Sequence, residues 1–357
     1  MSNVKVVGKG GISATIIAHS KSVVDGSEII TFELEYHRYI HGEFMTHRLF
    51  SRNAASSRAI PVVKMIELVK NSPAVPIHWG KNQAGMQAKE ECNNKLNWYK
   101  YEDLTRTDAW KTGIFNAMEV AEAFSEAGYH KQIVNRLLEP FQMIKVVVTA
   151  TEWDNFFWLR FHDKAQPEIY ELARCMLAAK KRSVPEVLNV GEWHVPYVKT
   201  LKFKNSPRMY CKWVKERVLD DGQTETTFEE MSLEEALHVS ASCSAQVSYR
   251  KTDNSLEKGE KVWQMLTTDD RLHGSPMEHQ ATPMSIDFFC FDCQKDAEEC
   301  WEKGVTHLDK DGKFWSNNFK GWIQHRALIP DNNCTSFDYT QEIDETGLEI
   351  EDNKSGH

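Results

Sequence analysis

A chain of 357 residues, 41% hydrophobic and 27% charged, can bury a sizeable core as one large domain or two ordinary ones. Its net charge of −9 argues against a dedicated nucleic-acid-binding surface, because phosphate-tracking proteins carry a basic excess. The opening residues lack the apolar core of a signal peptide and no apolar run reaches the length of a membrane span, so a cytoplasmic protein without a membrane partner is expected.

The first regular element is a strand over residues 29–36, where apolar and polar side chains alternate from Ile30 to Tyr36. Residues 41–51 read as a short helix, followed by a polar loop of small residues through Arg58 that Pro61 closes. Turn-forming residues at high density make 75–110 an excursion. Apolar periodicity at Ala117, Val120, Ala121, Phe124, Ile133, Val134 and Leu137 predicts helix over 108–138. The run from Lys145 to Thr149 is core-sized, and a helix is expected over 167–180. Prolines and Gly191 mark a junction over 184–200, beyond which helices are expected over 229–241, 258–266 and 294–303. Between these lie an extended piece over 246–249 and a turn over 273–276. Together they predict an α+β protein with halves 1–195 and 196–340, and an acidic tail over 341–357 that frays.

Eight cysteines are scattered along the chain, and reduced thiols are expected. Cys290 and Cys293 have the spacing of a zinc knuckle, with Cys300 and His307 downstream. A structural zinc site usually needs two such pairs, so buried thiols are the favoured reading.

Three constellations carry candidate chemistry. The first runs from Thr46 to Arg58 and gathers His47, Arg48, Arg52 and Arg58 among Ser51, Asn53, Ser56 and Ser57. Arginine forks and close backbone amides suit a phosphate, and a solvated basic loop has the same composition. The second places Arg136 on the polar side of an amphipathic helix and Arg160 among aromatic residues, beyond Asn155. An arginine there needs an anionic or π partner; a ligand would serve, and so would an internal ion pair with Glu139, Asp163 or Glu168. The third joins the stretch from Ala241 to Tyr249 with the turn from His273 to His279. Its two histidines and Glu278 do not share one helical face, so no metal is expected there.

The pair His47-Arg48, seven further residues, Ser56, and Arg58 two positions on resemble the signature of the flavin-dependent thymidylate synthases. Arg136 with Pro140, the run from Leu159 through Gln166 to Ile169, and the third constellation are similar to further motifs of that family. The third block normally comes first in the family, which points to permutation or duplication. A short echo of residues 43–50 over 321–328 favours duplication.

The resemblance implies an antiparallel sheet flanked by helices and a homotetramer that methylates dUMP. It implies FAD as cofactor, with NADPH and methylenetetrahydrofolate as co-substrates. It assigns the nucleotide to Glu43, Ser56, Ser57, Arg58, Arg136 and Arg160, with Arg160 also the catalytic group against the uracil edge. It assigns FAD to Thr46, His47, Arg48, Ala54, Thr149, Thr151, Asn155, Ser248, His273, Ser275 and Glu278. Three positions depart from the family: Thr46 and Thr151 replace arginines, and Glu43 replaces a glutamine. Those departures leave room for a relative that methylates or hydroxymethylates dUMP or dCMP, or for a non-catalytic nucleotide-binding protein.

Overall fold

The computed structural model describes residues 4–99, 101–204, 206–218, 223–248, 252–268, 271–286, 301–340 and 346. Cys290, Cys293 and Cys300, most of the helix expected over 294–303, and nearly all of the acidic tail lie outside these residues.

A six-stranded sheet organises the first half. Its strands run Lys5–Val7, Ser13–Ser22, Glu28–His37, Met143–Ala150 and Ser51–Ala54 in spatial order, all antiparallel, and Glu186–Leu188 adds in parallel beside Ser13–Ser22. The alternation in Glu28–His37 sends Ile30, Phe32, Leu34 and Tyr36 to one face. There they meet Ile144, Val146 and Val148 of the neighbouring strand and Ile169, Leu172 and Met176 of the helix Pro167–Arg182. Pro167 stands in that helix's first turn and Lys180, Lys181 and Arg182 in its last, which suits the helix dipole.

The opposite face of the strand is buried too. Ile29 packs with Leu188, Ala281, Phe319 and Trp322, a small core that joins the two halves of the sequence. Beside it, a line of buried polar groups crosses the same boundary through Ser20, His194, Thr31, Thr149 and His279 and ends on the partly exposed Asn53. The backbone of His194 also pairs with that of Ala281.

Several local expectations shift. Helix occupies only His41–Phe44 of the expected 41–51, and Ser51–Ala54 is a strand paired with Met143–Ala150. The small residues after Phe50 fit an edge position, and sheet pairing there satisfies backbone groups that a helix would have satisfied internally. The helix expected over 108–138 is Arg106–Glu126, then a break, one turn at Lys131–Val134 and a 3-10 segment at Asn135–Phe141. Gly128, at φ 86°, makes that break in a conformation that favours glycine. Pro140 sits inside the 3-10 segment. A seven-residue helix at Asp154–Arg160, which was not expected, carries Arg160 at its end. The stretch beyond the junction, for which no element was expected before 229, contains the hairpin Met209–Val218 with Thr224–Met231. Helix Leu233–Ala245 starts later than expected, from a Ser232–Glu235 capping box, and Gln246–Ser248 is 3-10 rather than extended. Leu256–Thr267 is helical, as its periodicity implies, and Ser275–Glu278 forms a 3-10 turn.

Burial depresses seven histidines below 6.5: His19, His37, His41 and His194, together with His47 and His325 to about 4 and His279 to about 3. Each is neutral when folded and protonates more readily when unfolded. Their contribution to stability is therefore full above pH 6.5 and is lost as the pH falls toward 4, where the unfolded chain binds more protons. The unfolding free energy should drop steadily between pH 7 and pH 5, by several kcal/mol in all, and the denaturation midpoint should fall with it. A midpoint flat across that interval contradicts the burial of these rings.

Candidate active site

Arg160 reaches from the end of its helix into the first constellation. Its Nη1 donates to Glu43 Oε2 at 3.1 Å, its Nε to His47 Nε2 at 3.0 Å, and its Nη2 to Thr46 Oγ1 at 3.4 Å. The partner is thus Glu43, rather than Glu139, Asp163 or Glu168. Because Nε can only donate, His47 accepts at Nε2 and carries its proton on Nδ1. His47 is wedged against Phe50 and the edge of Phe156, and burial first, then Arg160 and Arg52, keeps it neutral. The Arg160–Glu43 pair is partly exposed, so its own contribution is small. Its consequence is geometric: two of the five guanidinium N–H groups remain to meet a ligand.

Arg160 lines a cleft of about 1280 Å3, larger than the ~300–1,000 Å3 of an ordinary small-molecule site. The excursion supplies one wall, including His78, Met86 and Lys89, while Tyr39, Lys164 and Tyr170 line the remainder. The excursion is held there by Ile77, whose N–H donates to Glu168 at 3.0 Å, and by Trp110, whose ring N–H donates to the Ala74 carbonyl.

A second cluster surrounds Glu139. Its Oε1 accepts from Arg136 at 2.7 Å, Arg38 at 2.8 Å and the buried Ser57 hydroxyl at 3.2 Å. Two guanidinium groups sharing one carboxylate leave a positive remainder, and exposed Arg58 adds to it. Asn135 fixes the loop by donating to the carbonyls of Ser57 and Ile60. Arg38 escaped the sequence reading. Its position immediately after the strand Glu28–His37 is the signal that could have marked it.

The third constellation meets the first directly. Ser248 Oγ accepts from the Ser56 N–H at 2.9 Å, and Asn53 Nδ2 donates to Ser275 Oγ at 3.2 Å. Glu278 pairs with Arg326 from the echoed segment, and Gly274 leaves room for that guanidinium, since a Cβ there would lie 2.7 Å from Arg326 Nε. Arg326 is a further residue the sequence reading did not single out, although the echo contains it.

Other expected positions stand apart. Thr149 is fully buried, with its hydroxyl between Thr31 and His279, so its side chain faces no ligand. Thr151 accepts from the Lys320 N–H, Ala54 packs beside the sheet core, and Asn155 and His273 are exposed. Among the described residues no three His, Cys, Asp or Glu side chains converge on a metal-sized site. No described helix is long and apolar enough to cross a membrane.

No curated protein sequence matches the chain. Among solved structures, a UMP/dUMP methylase PolB from Streptomyces cacaoi, bound with 5-Br dUMP, is similar at 17% identity and a TM-score of 0.31. That alignment covers 43% of this chain and 67% of the other, a likeness too low to carry an argument. Residues 12–186 match the Thy1 family model, described as thymidylate synthase complementing protein, and hold both the Arg160 and the Glu139 clusters. Over that region, just under half of its length, the chain is similar to the thymidylate synthase complementing protein family.

Proposed function

We propose that the chain is a flavin-dependent thymidylate synthase that methylates dUMP at C5. The observation that carries this reading is the convergence, inside the family-matched region, of an arginine fork beside a neutral histidine and a separate cluster of arginines around Glu139. In it, Arg38, Arg58 and Arg136 hold the nucleotide phosphate, with Ser56 and Ser57 shaping the loop. Arg160 lies against the N3/O4 edge of the uracil, where its two remaining N–H groups stabilise negative charge and make C5 nucleophilic. Glu43 and His47 keep the guanidinium in that orientation.

The rim beside Ser275 fits a cofactor carrying phosphate. Asn53 and Ser275 offer polar hydrogens, and exposed Arg48 and the nearby Arg52 add positive charge. FAD held there, reduced by NADPH, would supply hydride to complete the methyl group derived from methylenetetrahydrofolate. The protein's part is orientation, charge stabilisation and exclusion of water. Assembly into a tetramer, with sites shared between subunits, belongs to the same proposal.

Glu43 favours a second reading. A cytosine ring presents an amino donor where uracil presents an acceptor. A carboxylate 3.1 Å from the arginine fork is the complement of that amine. Release of tritium from C5-labelled dCMP in preference to dUMP would establish this reading and displace the first. Under the dUMP reading, dUMP is the better substrate and Glu43→Gln preserves or improves its turnover.

The purified protein should retain FAD and bleach with NADPH; a colourless protein that takes up no added FAD contradicts the flavin assignment. Arg160→Lys keeps the charge and loses the planar fork, so turnover should fall on the order of 10²-fold with FAD binding nearly unchanged. Arg136→Lys should chiefly raise the apparent KM for dUMP, by about tenfold, because a phosphate contact acts equally in ground and transition states. If Arg160→Lys melts early yet turns over at the original rate when folded, Arg160 serves the fold alone.

A further inference from the structure

We infer that the polar groups from Ser20 to Ser275 form a one-way hydrogen-bond chain in which His194 and His279 are positioning residues, making Ser275 a donor to a phosphate oxygen of the bound ligand. The ligand in this inference rests on the proposed cofactor site; the chain itself does not.

The links are Ser20 Oγ to His194 Nδ1 at 2.9 Å, His194 Nε2 to Thr31 Oγ1 at 2.9 Å, and Thr31 Oγ1 to Thr149 Oγ1 at 2.7 Å. They continue from Thr149 Oγ1 to His279 Nδ1 at 2.8 Å, from His279 Nε2 to Asn53 Oδ1 at 2.9 Å, and from Asn53 Nδ2 to Ser275 Oγ at 3.2 Å. Thr31, Thr149, His194 and His279 are all 0% exposed. A neutral imidazole has one donor and one acceptor nitrogen, and a hydroxyl has one proton. The direction of any single link therefore sets all the others.

Asn53 Oδ1 can only accept, so His279 donates from Nε2 and accepts at Nδ1 from the Thr149 hydroxyl. Thr149 in turn accepts from Thr31, Thr31 accepts from His194 Nε2, and His194 Nδ1 accepts from Ser20. At the other end Asn53 donates to Ser275. The Ser275 lone pair facing inward is thereby occupied, and its own proton is directed to the exposed rim. A ligand atom that meets this proton accepts it. Arg52 interacts with both Arg48 and Glu278, the latter three residues beyond Ser275 and itself paired with Arg326, so the two arginines leave positive charge on this side and an anionic phosphate oxygen is the matching group.

With the Asn53 amide turned over, every link would reverse: both rings would carry the proton on Nδ1, and Ser275 would offer lone pairs to the ligand. Two readouts separate the alternatives. Long-range proton–nitrogen correlation spectra of the full chain labelled with nitrogen-15 histidine should show His194 and His279 both as Nε2–H tautomers. Nδ1–H on both rings overturns the stated direction, and different tautomers on the two rings overturn the chain.

The second readout is FAD affinity in variants. Ser275→Ala should weaken FAD and ADP by the same factor, about tenfold, and leave riboflavin unaffected. Thr31→Val, which fills the space but removes the hydroxyl, should weaken FAD several-fold and alter the His194 tautomer, while Thr31→Ser restores both. A packing role predicts the reverse order, because serine leaves a void that valine fills. Equal FAD affinity in Thr31→Val and the parent, with both folded, sinks the positioning role. If the parent chain binds no FAD, the Ser275 ligand assignment falls with the proposed function, and the tautomers still decide the chain.

Discussion

The hydrogen bond between Thr149 and His279 is the hinge pin of the molecule's organisation. One partner lies on a central strand of the first half, the other at the end of a turn from the second half, and both are fully buried. Leaving either group without its partner in such an interior costs about 1–3 kcal/mol. The second half is therefore held in one register against the sheet, and that register brings Ser275 to Asn53 and Ser248 to Ser56. The small core of Ile29, Leu188, Ala281, Phe319 and Trp322 fills the space beside it. Apolar burial supplies the adhesion there, and the polar line supplies the alignment.

Charge is handled in the same economical manner. Each arginine cluster contains one carboxylate: Glu43 for Arg160, Glu139 for Arg38 and Arg136, and Glu278 for Arg326. A lone guanidinium in an aromatic setting would be costly to desolvate. Partial compensation keeps the side chain in place while leaving N–H groups to meet an anion or a polar ring edge. Because these pairs are partly exposed, they orient rather than stabilise. The neutral His47 belongs to the same design, since a protonated ring would repel the arginine whose Nε it receives.

The excursion shows how a segment without recognisable motifs can still serve a site. Composition described residues 75–110 as turns, and the structure makes part of that stretch a wall of the cleft that Arg160 also lines. Its attachment depends on Glu168, whose carboxylate takes the Ile77 N–H while its own helix packs on the sheet. The family-matched region thus contains a surface that its signature residues do not describe.

What the sequence determined by itself was local or strictly spaced. Alternation announced the strand Glu28–His37, periodicity the helices Pro167–Arg182 and Leu256–Thr267, and fixed offsets among His47, Arg48, Ser56 and Arg58 the family likeness over residues 12–186. These signals survive because side-chain period, helix ends and motif spacing are properties of neighbouring residues. The strand Ser51–Ala54 was not legible, because only its pairing with Met143–Ala150 makes those residues extended. Nor was the choice of Glu43 for Arg160, 117 residues apart, or the meeting of Asn53 with Ser275 across 222 residues. Arg38 became part of a cluster only when the 3-10 segment carrying Glu139 packed beside the strand's end. Such contacts depend on sheet register and on how two halves share one interior, and no local pattern encodes either; only the tertiary structure decided them.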